Sequence, residues 1–182
     1  LPDSGFIKKL YLPSSVSNLT LINQHHIEDF GCEGYGNLTT IKIENSENVP
    51  LQDILLGCDS SVLASVSIKN INWNVDSEEN LQTIIDKLVA CYGSVVEGSV
   101  YLPSGVTVSD ALKVTIHQNF PNLNVIDDNP VFYIDYYNFD NTIWDTEMVD
   151  AGNDAVGPQK GDPDDIIQEL QGLRHLFVQW KA

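Results

Sequence analysis

Positive charge is what this chain has least of: 9 Lys and Arg stand against 26 Asp and Glu in 182 residues, a formal charge of -17. Nucleic-acid binding draws most of its affinity from basic side chains meeting phosphates, so no nucleic acid is expected as a partner. The acidity is spread along the chain, with 14 acidic residues against 6 basic before Asp127 and 12 against 3 from there on. That distribution describes a solvated acidic surface rather than an acidic tail. No apolar run approaches the roughly 20 residues a membrane span needs, so no membrane insertion is expected in this chain. Residue 1 is Leu, and no charged n-region with an apolar h-region follows it. The chain therefore reads as a mature or trimmed fragment with any targeting signal out of view.

Cysteine is scarce too. Cys32, Cys58 and Cys91 lie far apart without CxxC spacing, and three thiols cannot pair completely. They are expected to be buried or incidental, because a free Cys behaves as a small core hydrophobe. The run "HHIED", His25 to Asp29, gathers two imidazoles and two carboxylates, but it lacks the HExxH spacing and a third ligand. It is read as a polar loop between strands. "DNTIWDTE" and "DPDD" are rich in oxygen but miss the EF-hand register. GxSxG, GxxxxGKS/T and GxGxxG are absent, which removes the hydrolase elbow, the P-loop and the dinucleotide fingerprint. A thiol and imidazole pair of Cys32 with His25 or His26 can be written down, as it can for any chain with three Cys and four His. No catalytic residue, no metal ligand and no cofactor is assigned, and the chain is read as not an enzyme.

What the chain does have is repetition. "YLPSS" at Tyr11 to Ser15 returns as "YLPSG" at Tyr101 to Gly105, each time after a strand-like run. Around these corners apolar residues recur at positions one, four and six, the spacing LxxLxL. The copies are Ile7, Leu10 and Leu12; Val16, Leu19 and Leu21; Leu38, Ile41 and Ile43; Leu63, Val66 and Ile68; and Phe120, Leu123 and Val125. A damaged copy, "EGSVYL", keeps Val100 and Leu102 but begins with Glu97. The last two apolar positions flank a polar one, as a short strand with one buried face requires.

Between the later strands the period becomes helical. "SEENLQTIIDKLVACYG" places Leu81, Ile84, Ile85, Leu88 and Val89 on one stripe, with Ser77 as N-cap and Gly93 as the stop. "TVSDALKVTIHQNF" repeats the design, with Ser109 as cap and Ala111, Leu112, Thr115, Ile116 and Phe120 facing inward. "PLQDILLGC" suggests a shorter helix with Pro50 at its first position and Gly57 at its end. Strand and return segment alternate in units that cannot bury an apolar face alone, which is the logic of a solenoid. Both corners are then expected to end a strand with Pro and turn the chain onto the convex side.

From Leu1 to Asp128 these residues resemble the irregular leucine-rich-repeat domains of secreted, surface and phage tail-associated proteins of Gram-positive bacteria. The first-position spacings are 9, 22, 25, 34 and 23, when such repeats run about 20 to 29 residues. No regular Asn ladder is evident after the strands, although Asn23, Asn45, Asn70 and Asn72 lie near such places. The resemblance implies a concave sheet face made by Lys9 and Tyr11, Asn18 and Thr20, Thr40 and Lys42, Ser65 and Ser67, Ser99 and Tyr101, and Asn122 and Asn124. Such a row suits hydrogen bonding with aromatic contact to a protein or carbohydrate ligand. Trp73 and Trp144 are placed in cores.

A second, small domain is expected from residue 129 to 182. Phe132, Ile134 and Tyr136 alternate with Tyr133, Asp135 and Tyr137; an NFDN turn follows; and Ile143, Asp145, Glu147 and Val149 alternate with Trp144, Thr146 and Met148. Gly152 closes this hairpin, "DPDDIIQELQG" gives a helix, and "LRHLFVQWKA" a last strand carrying Trp180. This α+β unit resembles the β-grasp-like surface repeats of the Listeria-Bacteroides type, although its ending departs from their YTFxGW. The expected protein is α/β, an irregular solenoid followed by a β-grasp-like domain. It is expected at the surface of a Gram-positive bacterium or outside the cell, as a non-catalytic recognition or adhesion module. The alternatives are a phage tail or baseplate part in a virion, and then an enzyme acting on cell-wall polymer.

Overall fold

Apolar pairs flanking one polar residue form the strands expected of them. The computed structural model describes residues 7–129, 131–137, 142–150 and 153–157. In chain order the elements are β1 (Lys9–Leu12), β2 (Asn18–Ile22), β3 (Asp29–Cys32), β4 (Thr40–Glu44), α1 (Leu51–Gly57), β5 (Ser65–Asn74), α2 (Glu78–Ala90), β6 (Val95–Tyr101), α3 (Asp110–Asn119), β7 (Leu123–Ile126), β8 (Val131–Tyr137) and β9 (Ile143–Asp150). This is a mixed α/β protein. It divides into two compact units, Leu1–Pro130 and Val131–Ala182.

In the first unit β2, β4, β5, β6 and β7 lie side by side in that order, and every pair is parallel. Strands β1 and β3 pair with each other in a separate two-stranded parallel sheet. One residue series points inward from each strand: Leu19 and Leu21, Ile41 and Ile43, Val66 and Ile68, Ile71 and Trp73, Val96 and Val100 are all buried. They form a single core with Leu51, Ile54 and Leu55 of α1, Leu81, Ile84, Ile85 and Leu88 of α2, and Leu112 and Ile116 of α3. Each fully buried Leu or Ile contributes about 1.5–3 kcal/mol. The core series sets the register, because slipping by one residue would turn every one of these side chains into water.

The observed register rewrites the repeat. His25 to Glu28 form a loop as expected, and the unexpected strand β3 that follows exists because Ile27, Phe30 and Cys32 are themselves spaced LxxLxL; Leu10 sits opposite Phe30 and Leu12 opposite Cys32. Two series therefore interleave, which removes the impossibly short first spacing. On one side Lys9 faces Asp29, a step of 20; on the other Asn18 faces Thr40 and Thr40 faces Ser65, steps of 22 and 25. Strand β5 is ten residues long and holds two overlapping copies, the second being Ile68, Ile71 and Trp73. A bulge between Ile68 and Ile71 separates them: Ile68 faces Val96, a step of 28, whereas Ile71 faces Gly98, a step of 27. Gly98 faces Leu123 and Val100 faces Val125, so the damaged copy begins at Val95 rather than Glu97. Gly98 has φ +134, and a Cβ there would lie 2.1 Å from the Ile71 carbonyl oxygen, so only glycine closes the bulge.

The two corners share a turn but not a direction. Val16 N–H donates to Pro13 C=O and Val106 N–H to Pro103 C=O. A carboxylate from one step further on then clasps each, Glu33 on Ser14 and Asp128 on Gly105. "YLPSG" leads from the five-stranded sheet into the segment carrying α3, as expected. "YLPSS" does the reverse, leading from β1 of the small sheet into β2 of the large one.

The helices form where their signals place them, with departures at single positions, and Pro50 stands as the N-cap of α1 rather than its first residue. Val89 is exposed, and so is Ala111. In α3 the buried side chain beside Leu112 is Lys113, which pairs with Asp127 at 2.9 Å. Lys113 also donates to the Asn129 C=O, and Asp127 accepts from the N–H groups of Val108 and Asn129. These bonds tie Asn129 to the first unit. Ser77 caps α2 by accepting from Asn80 N–H, but Ser109 makes no cap bond to α3.

In the second unit β8 and β9 form an antiparallel hairpin pairing Phe132 with Val149, Ile134 with Glu147 and Tyr136 with Asp145. Trp144 is half-buried and Trp73 is buried in the first unit's core. The Glu147 carboxylate accepts from Val156 N–H, Tyr136 O–H and Gly157 N–H. Those bonds hold its acid below the usual glutamate range. The NFDN turn, Gly152, the expected second helix and the strand carrying Trp180 lie outside the described residues.

Candidate recognition surface

Because the core takes one face of the five-stranded sheet, the alternate residues make the other face. Thr20, Lys42 and Ser67 stand in register across β2, β4 and β5, with Asn18, Thr40 and Ser65 in the row before them. Beyond the bulge Asn72, Ser99 and Asn124 form one row, and Asn74, Tyr101 and Ile126 the next. The structure thus brings together Thr20, Thr40, Lys42, Ser65, Ser67, Ser99, Tyr101 and Asn124 on one sheet, with Asn122 just before β7. It does not bring Lys9 and Tyr11 to them. Those two lie on β1, where Lys9 meets Asp29 at 3.4 Å and the Tyr11 ring covers Gly31.

The charges on this face are matched locally: Lys42 with Glu44 at 3.5 Å and Lys69 with Glu97 at 3.8 Å. What remains is hydroxyl and amide. Tyr101 is the partly open aromatic, at 39% exposure, with Ile126 beside it.

At the carboxyl ends of β2 and β4 and within β5, three asparagines stack. Asn45 Nδ2 donates to Asn23 Oδ1 at 3.1 Å, and Asn70 Nδ2 to Asn45 Oδ1 at 3.0 Å. All three take the left-handed backbone, with φ 54, 46 and 54, which Asn tolerates better than other side chains. This is the ladder that the sequence did not reveal. Its steps of 22 and 25 were visible, but the bulge displaces the strand after Asn70, so the series has no fourth member to make it regular.

Beside the ladder opens a concavity of about 400 Å³ lined by His25, Asn45, Ser46, Glu47, Asn48, Asn70 and Asn72. Its floor is fixed: buried Ser46 accepts from Gln24 N–H and donates to Glu44 C=O, and Glu47 N–H donates to Gln24 C=O. His25 and Glu47 face each other at 3.4 Å across the rim. His25 thus lines this concavity, and among the described residues no three His, Cys, Asp or Glu gather as ligands.

Of the cysteines, Cys32 ends β3, Cys58 caps α1 and Cys91 caps α2. Burial pushes the Cys58 thiol up to about 11, against the pull of Lys87, so it is protonated at neutral pH. Lys87 donates to the carbonyls of Leu55, Leu56 and Cys58, completing the end of α1.

No family model, curated protein or solved structure matches the chain. No helix among the described residues is long and apolar enough to cross a membrane.

Proposed function

We propose that the first unit is an irregular leucine-rich-repeat solenoid that presents its strand face to an extracellular protein or glycan, and that it performs no chemistry. The single observation that carries the reading is the face of the parallel sheet opposite the core, which no element of the described part of the first unit packs on, with small polar residues in register from β2 to β7 and its lysines matched by neighbouring carboxylates. Supporting it, the corrected steps of 20 to 28 residues fall in the range of such repeats, and an Asn stack links successive steps near the ends of their inward-facing pairs. The second unit, with its aromatic hairpin, acts as a β-grasp-like spacer. On this reading the protein is displayed on the surface of a Gram-positive cell.

Two measurements test it. Mass spectrometry of the producer's wall, medium and cytosol, and of any phage particles, locates the native protein. Wall or medium is expected, particles alone would make it a virion part, and cytosol alone would overturn the reading. Labelled protein is then bound to the wall fraction; Ser67→Arg, which projects a long side chain from mid-face, is expected to weaken binding at least tenfold. Undiminished binding would remove the strand face as the recognition surface.

A further inference from the structure

We infer that the concavity at the end of the asparagine stack is a binding site for a neutral saccharide. The inference rests on the recognition reading above and names the ligand class and the place. A sugar hydroxyl both donates and accepts, so it is best met by groups that do the same within one side chain, and the carboxamide is such a group. Asn70 spends one N–H on Asn45, while its Oδ1 takes no donor among the described residues. Asn48 and Asn72 line the same space, and no partner for their amides is recorded among the described residues. His25 and Glu47 add an imidazole and a carboxylate at the rim.

The walls are set before a ligand arrives. Asn45, Asn48 and Asn70 are all left-handed, at φ 46, 56 and 54, and buried Ser46 locks the loop after β4 to the loop after β2. Binding to such a site costs little ordering entropy, which is what a small polar ligand with few apolar atoms requires. At about 400 Å³ the space lies within the range of small-molecule sites.

Other ligand classes fit less well. An anionic group meets Glu47 and a chain of net charge -17, with no Lys or Arg in the lining. A hard cation needs about six oxygen ligands, with several carboxylates among them, and Glu47 is the single carboxylate of the lining. A protein partner anchors through buried aromatic or aliphatic contacts, and no apolar side chain lines the space.

The test is calorimetric titration of the intact chain with neutral oligosaccharides: cellobiose, maltose, lactose, chitobiose and mannobiose. At least one is expected to bind. Asn72→Ala and His25→Ala, both at exposed positions, are expected to weaken that binding at least tenfold with an unchanged melting temperature. Asn70→Gly, which keeps the left-handed backbone while deleting the amide, should weaken it likewise, with a small fall in melting temperature from the lost stack bond. Thr83→Arg, at an exposed position of α2, should leave it intact. Binding that is indifferent to Asn72→Ala, His25→Ala and Asn70→Gly would overturn the placement. No binding to any of the five sugars would overturn the saccharide assignment. Wall binding still sensitive to Ser67→Arg would then leave the recognition reading standing, and its absence as well would remove both.

Discussion

In the first unit the turns after β2 and β4 are joined by neutral amides, and the segments around α2 and α3 by ions. After β2 and β4 the connection is the stack Asn23, Asn45, Asn70. Around α2 and α3 it is Lys87 on the end of α1, Glu78 on Ser109 N–H, and Lys113 on Asp127. The difference follows from geometry. An Asn side chain reaches its counterpart only when successive turns sit one strand spacing apart, about 4.8 Å, in the same conformation. Once the bulge shifts the register and the back of each step becomes a helix, only longer side chains span the gap, and an ionised end makes the stronger bond.

The largest expected effect lies at the ionic end. Lys113→Met leaves the Asp127 carboxylate buried without its cation and should cost about 3–5 kcal/mol in denaturant unfolding; a loss below about 1 kcal/mol would show that solvent reaches the pair. Next comes the junction between the two regimes. Gly98→Ala drives a Cβ against the Ile71 carbonyl at a disallowed φ, an expected loss of about 2–4 kcal/mol. If the variant is as stable as the parent, the bulge is not fixed by that glycine.

The neutral end is dissected with two substitutions at one position. Asn45→Ala loses both stack bonds and forces alanine into the left-handed region, about 2 kcal/mol in all, while Asn45→Gly loses the bonds alone, about 1 kcal/mol. Equal losses would mean that the backbone there relaxes. The two helix starts make a smaller contrast: Ser77→Ala should cost about 1 kcal/mol and Ser109→Ala clearly less, because only Ser77 caps its own helix. Thermal melts of the pair would expose the asymmetry, and equal shifts would contradict it.

The smallest effect separates the ends by pH. Hydrogen bonds from the Ser109 hydroxyl and N–H hold the Glu78 acid below its ordinary 4.5. That contribution is present above the unfolded value and is lost as pH falls through the lower folded one. Glu78→Gln should therefore flatten the acid limb of the stability curve below pH 4.5, while Asn45→Gly leaves its slope alone. Parallel curves for parent and Glu78→Gln would assign the acid limb to other carboxylates.

Inward-facing residues were legible in the sequence because alternation records burial: Leu19, Leu21, Ile41, Ile43, Val66 and Ile68 all lie where the pattern put them. Strand β3 was not legible, because Asp29 and Gly31 surround its two inward residues and the His pair before it reads as loop. Lys113 was lost for the opposite reason. Its buried state depends on Asp127, fourteen positions away, and no local pattern carries that pairing. Of the face implied by the resemblance, Thr20, Lys42 and Ser67 lie in one register row, but Lys9 and Tyr11 obey the same alternation in another sheet. The concavity was out of reach altogether, since His25, Asn48 and Asn72 meet only through register.

The register also bears on how the chain finds its fold. Each strand from β1 to β7 pairs only with strands 20 to 28 residues away. Closing loops of that size costs entropy that grows only with the logarithm of their length. Parallel sheets commonly wait on distant pairings, which slows their folding. Here no strand waits for the far end of the chain, so the sheet grows one neighbour at a time from any pair already formed.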